Sequence, residues 1–487
     1  MKRILTLLTI LIIGITTQAH SAEKKSKAKG VETVHVTSLK ELISYMSKDS
    51  INLTMTPGTY RISTAEVSGG KYKKATYVNS EFPTYGLLLV SGNGSYYDLS
   101  GVIVEVETGV ASAFPGGKHE VVELHFIGNG NVVKGLKLVN WGSKHKGPKY
   151  GWCNVVMDGS ANRAEEVTVH STGSVPYGYG EVFGKGRGNT LTLKKHSTWL
   201  VRGDNNHVKN CNILQRTFGH HMFIQGAMGA IIEGCHIEGE MVTTDMILAE
   251  HGTGSKADKI NFKTVFGYKV PGGYTLSTGE DGIRTYANGT TYINGKSVTR
   301  GTGGDIIIRN CTVKHARSGI SLTEGGGTRY VENCTLIGCQ DGYSIRSGGK
   351  IVNCRADAEF GPALRFVNNN DRNTEIDITI TPYMGENKDK YSGNGSKHLA
   401  HIFGTGHNIT LRRGEGLEVV EGITIAIGGD SRTVGNLGND QNYIGNSITL
   451  VNETGYPIAL DDNTKNGKIT TNSEVTDNGV DNTIIKK

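Results

Sequence analysis

Proline and long apolar runs are both scarce in this chain. Proline accounts for 9 of 487 residues, whereas glycine accounts for 68. Disordered low-complexity chains usually combine the two residues, while stacked turns with tight corners use glycine alone. No long apolar stretch follows the first 16 residues, so we expect no membrane span in the mature protein. The composition therefore predicts an ordered, glycine-rich scaffold.

The common signatures of metal sites are also missing. None of the seven cysteines forms a C-x-x-C pair, which argues against a zinc site. The sequence contains no Asp-rich calcium loop either. We therefore identify no cofactor and no metal ligands, and Ca²⁺ is the one cofactor that we keep open.

The first residues, MKRILTLLTILIIGITTQAHSA, predict a secretory signal peptide. Lys2 and Arg3 precede an apolar run that ends near Thr16, and small residues follow up to Ala22. This order is typical of exported proteins. The alternative is a membrane anchor, but the run is short and lacks a cysteine for lipidation. We predict a signal peptide over 1–22, one mature domain over 23–487, and a secreted or periplasmic protein.

A short pattern recurs along the chain: a β-branched run, a cysteine, a polar residue and a hydrophobic residue. Its five copies are HVKNCNI (His207–Ile213), IIEGCHI (Ile231–Ile237), IIIRNCTV (Ile306–Val313), YVENCTL (Tyr330–Leu336) and KIVNCRA (Lys350–Ala356). A period of about 20–24 residues indicates a solenoid, in which a repeat buries its apolar face only against its neighbours. We therefore predict an all-β, single-domain right-handed parallel β-helix with about three short strands per coil.

Three further features are predicted from the sequence. Because the recurring cysteines share one register, we expect a buried ladder of reduced thiols and no disulfides. The 76 residues between Cys235 and Cys311 predict about three coils with insertions. Ser38 and Glu41 predict the start of a helix that caps the first coil.

Side-chain direction can be predicted from the same alignment. Glycines lie eight residues after three of the cysteines, and strands follow them. Because side chains alternate along a strand, we expect His220, Met222 and Tyr343 to point inward with Ile320, Leu322 and Ile345. The same alternation predicts that His221 and Arg346 face water.

The positive charge of the chain is concentrated in one region. The formal net charge of +6 becomes +4 without Lys2 and Arg3, while residues 143–217 contain eleven Lys/Arg and five Asp/Glu, a net +6. A basic face on an exported scaffold indicates a polyanionic ligand. A merely solvated face is the alternative. We expect an acidic polysaccharide as the partner, no nucleic acid, and a monomer.

Clustered tyrosines and bases are the groups that β-elimination on a uronate polymer requires. A cation neutralises the carboxylate so that the C5 proton can be removed, and a Lys, His or Tyr acts as base and acid. Our catalytic candidates are Tyr177, Tyr179, Lys195, His196, Arg216, His220 and His221. Our substrate-binding candidates are Lys185, Arg187, Arg202, Glu250, His251, Arg317 and Arg346.

The chain also resembles the right-handed β-helix polysaccharide lyases of bacteria. Val34–Tyr60, with V-x-V-x-S-L-K-E-L and L-x-M-x-P-G-T-Y, looks like their N-terminal cap. The central blocks WLVRGDNNHVKNCNILQRTFGHH, TDMILAEHGTGSKADKINFKTVFGY and GEDGIRTYANGT look most like the alginate and glucuronan lyases of family thirty-one. The resemblance implies a groove-facing tyrosine and basic residue, a role that Tyr177 or Tyr179 and a residue between Lys185 and His221 match. The Lys/Arg signature and Asn/Glu calcium site of the chondroitinase-B-like lyases are not found.

Two other classes of function remain open at this point. A glycoside hydrolase needs two carboxyl groups at a defined separation, which Asp245 with Glu250, or Glu280 with Asp281, could supply. A uronate epimerase would use the same scaffold. A non-catalytic glycan-binding protein would use it too, but it would not need tyrosines, histidines and cations on consecutive coils.

Overall fold

The fold was analysed in a computed structural model. It describes residues 31–72, 74–77, 83–114, 120–142, 151–173, 195–263, 269–293, 296–385, 397–429 and 443–487. The predicted signal peptide lies outside the described residues, as do Tyr177, Tyr179, Lys185 and Arg187. Within the described ranges no helix is long and apolar enough to cross a membrane.

Two long sheets of stacked strands make up the molecule. The strands of the first, sheet A, are β1 (Glu32–Val36), β2 (Ile51–Met55), β3 (Gly58–Ile62), β6 (Tyr96–Asp98), β7 (Val102–Glu107), β9 (Val132–Lys134), β10 (Lys137–Trp141), β12 (Arg163–Glu165), β13 (Thr168–Ser171), β15 (Asn206–Lys209), β16 (Asn212–Gln215), β18 (Met228–Glu233), β19 (His236–Glu238), β25 (Gly303–Arg309), β26 (Thr312–Lys314), β28 (Arg329–Glu332), β29 (Thr335–Ile337), β31 (Lys350–Ala356), β33 (Glu375–Ile380), β36 (Asn408–Arg413), β39 (Thr449–Asn452), β42 (Lys468–Thr471) and β44 (Thr483–Ile485). The strands of the second, sheet B, are β4 (Lys74–Tyr77), β5 (Thr84–Val90), β8 (Glu120–Phe126), β11 (Gly151–Met157), β14 (His196–Val201), β17 (Met222–Ile224), β22 (Ile283–Thr285), β27 (Ser318–Leu322), β30 (Asp341–Ile345), β32 (Leu364–Arg365), β34 (His398–Ile402), β37 (Thr424–Ile427), β40 (Ile458–Leu460) and β43 (Val475–Asp477).

The remaining elements are short. They are the strands β20 (Met241–Thr243), β21 (Thr275–Ser277), β23 (Asn288–Ile293), β24 (Lys296–Gly301), β35 (Gly404–Thr405), β38 (Gly445–Asn446) and β41 (Thr464–Lys465), the helices α1 (Leu39–Tyr45), α2 (Thr64–Ser68), α3 (Thr244–Leu248) and α4 (Lys256–Lys259), and a 3-10 helix (Thr108–Ser112).

Each central coil consists of one sheet B strand followed by two sheet A strands. β14, for example, is followed by β15 and β16, and these pair in parallel with β17, β18 and β19 of the next coil. A single apolar core runs through the stack, from Val36 to Ile469. The predicted parallel β-helix with about three strands per coil is therefore confirmed. α1 caps it as predicted: Ser38 and Glu41 form a capping box, and Leu39, Leu42 and Met46 are buried.

The cysteine ladder is confirmed as well. Cys211, Cys235, Cys311, Cys334 and Cys354 are at most 1% exposed and belong to the apolar core. All seven cysteines are free and buried. The thiols behave here as small apolar side chains that fill one row of the core.

The predicted number of coils between Cys235 and Cys311 is wrong. β18 and β19 pair directly with β25 and β26. The two cysteines therefore lie on adjacent coils. The other residues belong to an insertion, 239–281, and to the hairpin β23–β24. The insertion has a small apolar cluster of its own, including Val242, Ile247 and Phe262. Spacing alone could not separate coils from insertions, because these segments contribute length without repeating the pattern.

At the corner after sheet B, buried asparagines hold successive coils together. The backbone N–H of Asn131 donates to Asn162 Oδ1 at 2.9 Å, and that of Asn162 donates to Asn206 Oδ1 at 2.8 Å. The backbones approach so closely that a Cβ on Gly159 would lie 1.8 Å from the carbonyl oxygen of Gly128. Only glycine fits there.

We expect native cysteines to be unreactive toward a thiol reagent. Buried thiols cannot reach the reagent, and the thiolate is the reactive form. Titration with a coloured disulfide reagent should label few of the seven thiols in the native protein and all seven in denaturant. Disulfide mapping that links Cys211 to Cys235 would contradict the ladder.

Candidate active site at one corner of the β-helix

Charged residues of neighbouring coils meet at the corner where turns lead into sheet B. The strands β14, β17, β22 and β27 are neighbours there and pair in parallel register. Lys195 directly precedes β14, and Arg317 directly precedes β27. Adjacent strands lie about 4.8 Å apart, so residues distant in sequence become neighbours. We call the following residues the corner cluster: Lys195, His220, Glu280, Asp281, Arg284, Tyr286 and Arg317.

Two adjacent carboxylates form the centre of the corner cluster. The side chains of Glu280 and Asp281 are each 1% exposed. Nζ of Lys195 donates to the two oxygens of Glu280 at 2.9 and 3.2 Å. Asp281 accepts hydrogen bonds from Nη2 of Arg317 at 2.7 Å and from Nη1 of Arg284 at 2.9 Å. Carboxylates paired in this way are fixed in position beneath their cations.

His220 lies between these carboxylates and Tyr286. Its Nε2 is 2.5 Å from the Tyr286 hydroxyl and 3.2 Å from Oε2 of Glu280, and its Nδ1 is 3.5 Å from Oδ2 of Asp281. Burial lowers the pKa of His220 to about 3, although Glu280 and Asp281 act in the opposite direction. The imidazole is therefore neutral at pH 7, and its unprotonated nitrogen can accept a hydrogen bond from the tyrosine hydroxyl.

Tyr286 is held against this imidazole by Arg284. The guanidinium of Arg284 lies 4.5 Å from the centre of the Tyr286 ring, within cation–π distance, and also donates to Glu324 at 2.8 Å. Burial raises the pKa of Tyr286 well above its ordinary value, while Arg284 opposes this shift. Tyr286 is thus a protonated phenol in contact with a neutral imidazole.

The cations of the corner cluster lie nearer to solvent than its carboxylates. The Lys195 side chain is 40% exposed, that of Arg284 is 22% exposed and that of Arg317 is 11% exposed. Tyr286 is half-buried. A ligand that approaches this corner therefore meets cations and a phenol first, which suits an anionic ligand.

His221 does not face water as predicted, and His220 is buried, as predicted, but against residues outside the main apolar core. His220 lies beside Phe223 and Tyr286 on the outer side of sheet B. His221 is fully buried, and a Cβ on Gly239 would lie 2.7 Å from its Nε2. Met222 and Tyr343 are in the core as predicted. The alternation fails for His221 because it precedes β17 and belongs to the turn.

Two other basic candidates are buried and bind partners inside the protein. His196 is 1% exposed, stacks on Trp152 at 4.2 Å and is bonded to Asn154. Arg202 is 6% exposed and forms a two-pronged ion pair with the buried Asp158. Neither side chain is presented to a ligand at the surface, contrary to our expectation.

The remaining described candidates lie outside the corner cluster. Arg216 is exposed in the turn after β16, and Arg346 is partly buried after β30. Glu250 and His251 belong to the insertion after α3, where the His251 ring stacks on Phe262. Among the candidates that the structure describes, Lys195, His220 and Arg317 are brought together in the corner cluster. Their functional roles stay predictions, as do those of Tyr177, Tyr179, Lys185 and Arg187.

Sequence reasoning missed Arg284 and Tyr286, and considered Glu280 and Asp281 only as a hydrolase pair. All four lie in one short block, GEDGIRTY. The close spacing of two acids, an arginine and a tyrosine within these eight residues was the sequence signal that could have indicated the site. Among the described residues no three His, Cys, Asp or Glu side chains are grouped to hold a metal ion, and the suggestion of Ca²⁺ stays untested.

We expect the protein to lose stability as the pH falls from 6.5 toward 4. Burial lowers the pKa of His196 and His220 to about 3 and that of His221 to about 4, whereas an unfolded histidine titrates near 6.5. The unfolded chain alone binds these protons, so the stabilisation is present above pH 6.5 and lost below it. The slope is roughly 1.4 kcal/mol per pH unit for each histidine.

Urea unfolding at pH 7 and pH 5 measures this effect. Burial raises the pKa of Glu123 to about 7 and that of Asp357 to about 6, which acts in the opposite direction. A higher unfolding free energy at pH 5 than at pH 7 would contradict neutral burial of the three histidines.

No protein-family model matches this chain, and no curated protein matches it. Among solved structures, an alginate lyase, AlyF-OU02 with G6, is 10% identical, covers 93% of this chain and 84% of its own, and has a TM-score of 0.39. A PL6 alginate lyase complex with trisaccharide is 11% identical, with coverages of 94% and 85% and a TM-score of 0.42. The tailspike gp49 of Acinetobacter baumannii bacteriophage Fri1, a capsular polysaccharide depolymerase, is 11% identical, with coverages of 84% and 66% and a TM-score of 0.33. These similarities assign no substrate or activity to this chain.

Proposed function

We propose that the protein is an exported polysaccharide lyase that cleaves an acidic uronate polymer by β-elimination at the corner cluster. The contact between the neutral His220 imidazole and the Tyr286 hydroxyl carries the proposal. A phenol in contact with a neutral imidazole, beside two buried carboxylates, can relay a proton between a substrate and the histidine. Alginate, polymannuronate and glucuronan are the candidate substrates. Membership of family thirty-one is part of the same proposal.

The proposed reaction begins with the uronate carboxylate near Lys195 and Arg317. Their charges stabilise the enolate that develops when the C5 proton leaves. Tyr286 takes this proton while its own hydroxyl proton passes to Nε2 of His220. The electron pair of the C5–H bond then forms the C4–C5 double bond, and the C4–O4 bond breaks.

The leaving O4 is protonated through the same pair of residues. Tyr286 gives its proton to O4, and His220 returns a proton to Tyr286. Glu280 and Asp281, at 3.2 and 3.5 Å from the imidazole, stabilise the transient imidazolium. No water is consumed, and the enzyme regains its starting state. One tyrosine serves as base and acid when the C5 proton and O4 lie on the same face of the sugar.

A glycoside hydrolase fits this geometry less well. It needs one carboxyl group that is protonated and another that faces the sugar ring or a water. Glu280 and Asp281 are both buried and both ion-paired. A uronate epimerase shares the proton abstraction but leaves the polymer intact, so the product distinguishes it.

Ultraviolet absorbance of the products tests the proposal. The mature protein is incubated with alginate, polymannuronate, polyguluronate and glucuronan. Elimination produces a C4–C5 double bond conjugated with the carboxylate, and we expect absorbance to rise with at least one polymer. Fragments without this double bond, and heavier by one water, would identify a hydrolase. An intact polymer with inverted C5 would identify an epimerase.

A further inference from the structure

A second candidate site opens farther along the same corner. It is a cavity of about 630 Å³, formed by the turns between sheet A and the strands β32, β34, β37 and β40, with one side formed by the insertion. Ligand sites typically measure about 300–1,000 Å³. We call it the distal pocket. Its lining includes Tyr274, Asp357, Glu359, Tyr383, Glu418 and Val420.

The distal pocket follows the corner cluster along the axis of the β-helix. Arg317 leads into β27, and the pocket turns begin two coils later, before β32, and end before β40. At about 4.8 Å per coil, the pocket lies about 10 to 24 Å beyond Arg317. The Tyr383 hydroxyl is 2.9 Å from Nε2 of His315, two residues before Arg317. A linear polymer bound along this corner would pass from the cluster into the pocket.

The charge of the distal pocket is opposite to that of the corner cluster. The ionisable residues among its described lining are acids and tyrosines, without Lys, Arg or His. Burial raises the pKa of Asp357 to about 6, and Glu359 adds to the shift. A negative charge is thus already disfavoured at this wall, and a uronate carboxylate placed beside it would be repelled.

Its remaining surface suits an uncharged sugar. Tyr274, Tyr383 and Tyr456 contribute aromatic rings, and Leu417 and Val420 contribute apolar surface. Aromatic side chains offer an apolar face together with a polar tip, and carboxylates accept hydrogen bonds from hydroxyl groups. These are the contacts that the apolar faces and hydroxyls of a pyranose ring require.

We propose that the distal pocket binds an uncharged pyranose unit, so that the preferred substrate is a heteropolymer containing uncharged sugars as well as uronates. The corner cluster binds the uronate that is cleaved. The distal pocket selects an uncharged sugar of the same polymer, several sugar units from the cleaved bond. The preference for a heteropolymer substrate rests on the proposed lyase function. Binding of an uncharged sugar in the distal pocket does not depend on that function and can be measured separately.

Saturation-transfer NMR and calorimetry on the full mature chain test the pocket. The probes are cellohexaose, mannohexaose, xylohexaose and a mannuronate hexamer. We expect at least one uncharged hexamer to bind, and Tyr274→Ala or the obstructing Val420→Trp to weaken it at least tenfold. Glu415→Lys is the control, because Glu415 is exposed nearby but does not line the pocket; Lys195→Ala should also leave this binding unchanged.

Two results would overturn the inference. In the first, none of the uncharged hexamers binds. In the second, the mannuronate hexamer binds equally well and Tyr274→Ala weakens it. If uncharged hexamers bind as expected but no polymer yields an absorbing product, the lyase fails and the pocket stands. If absorbing products form but the pocket binds no uncharged sugar, the distal-pocket inference alone fails.

Discussion

Replacement of Tyr286 by phenylalanine should lower kcat about 1,000-fold while substrate binding persists. General acid–base groups contribute about 10² to 10⁴ in rate, and this hydroxyl is both acid and base in the proposed reaction. Phenylalanine keeps the ring on which Arg284 stacks, so the loss should be specific to the proton transfer. Initial rates are followed by ultraviolet absorbance, and binding of a uronate hexamer by calorimetry.

Tyr330→Phe is the matched control. Tyr330 lies on β28 of sheet A, away from the corner cluster, and its loss should leave kcat unchanged. His220→Gln should resemble Tyr286→Phe, because glutamine cannot take up the proton. Full activity in Tyr286→Phe, together with inactivity in Tyr177→Phe or Tyr179→Phe, would transfer the role to the tyrosines predicted from sequence.

Asp158→Asn should destabilise the protein by about 3–5 kcal/mol, the usual cost of breaking a buried ion pair. Asp158 and Arg202 have side-chain exposures of 1% and 8%. The carboxylate also contacts Nε2 of His125 at 2.7 Å. Asparagine preserves the shape but removes the negative charge that Arg202 binds through two hydrogen bonds. The free energy of unfolding is measured in urea.

An exposed ion pair with the same geometry provides the control. Arg412 binds Asp377 through two hydrogen bonds of 2.8 and 3.0 Å, but the two side chains are 48% and 36% exposed. Asp377→Asn should therefore cost at most about 1 kcal/mol. Equal losses in both variants would show that burial does not control the strength of these pairs.

Much of the fold could be predicted because its evidence is local and repeated. The row of cysteines is visible as a period in the sequence, and each copy carries the same alternation of buried and exposed positions. The capping box of α1 lies within a few residues, from Ser38 to Glu41. Both features need only short-range geometry, so sequence reasoning recovers them.

The candidate site could be predicted only in part. Lys195, His220 and Arg317 were among the predicted candidates, but their pairing with Glu280 and Asp281 was not predicted. Lys195 contacts Glu280 although 85 positions of sequence separate them. The two residues are close in space because most of those positions belong to one coil and its long insertion. The pairing of β17 with β14 and with β22 establishes this neighbourhood, and no local sequence pattern indicates it.

Burial could be predicted from the sequence along regular strands, whereas in the turns it was decided by the tertiary structure. Along regular strands, the period of two correctly predicted that Met222, Ile320 and Tyr343 are buried. Directly before a strand this period does not hold, and His221 is buried where the period predicts exposure. Sequence alone therefore determined the coil, its core and its cysteine ladder, because backbone hydrogen bonding imposes the same period on every strand. Tertiary structure decided which turns stack and where their side chains point, because turn conformation depends on contacts with the neighbouring coils.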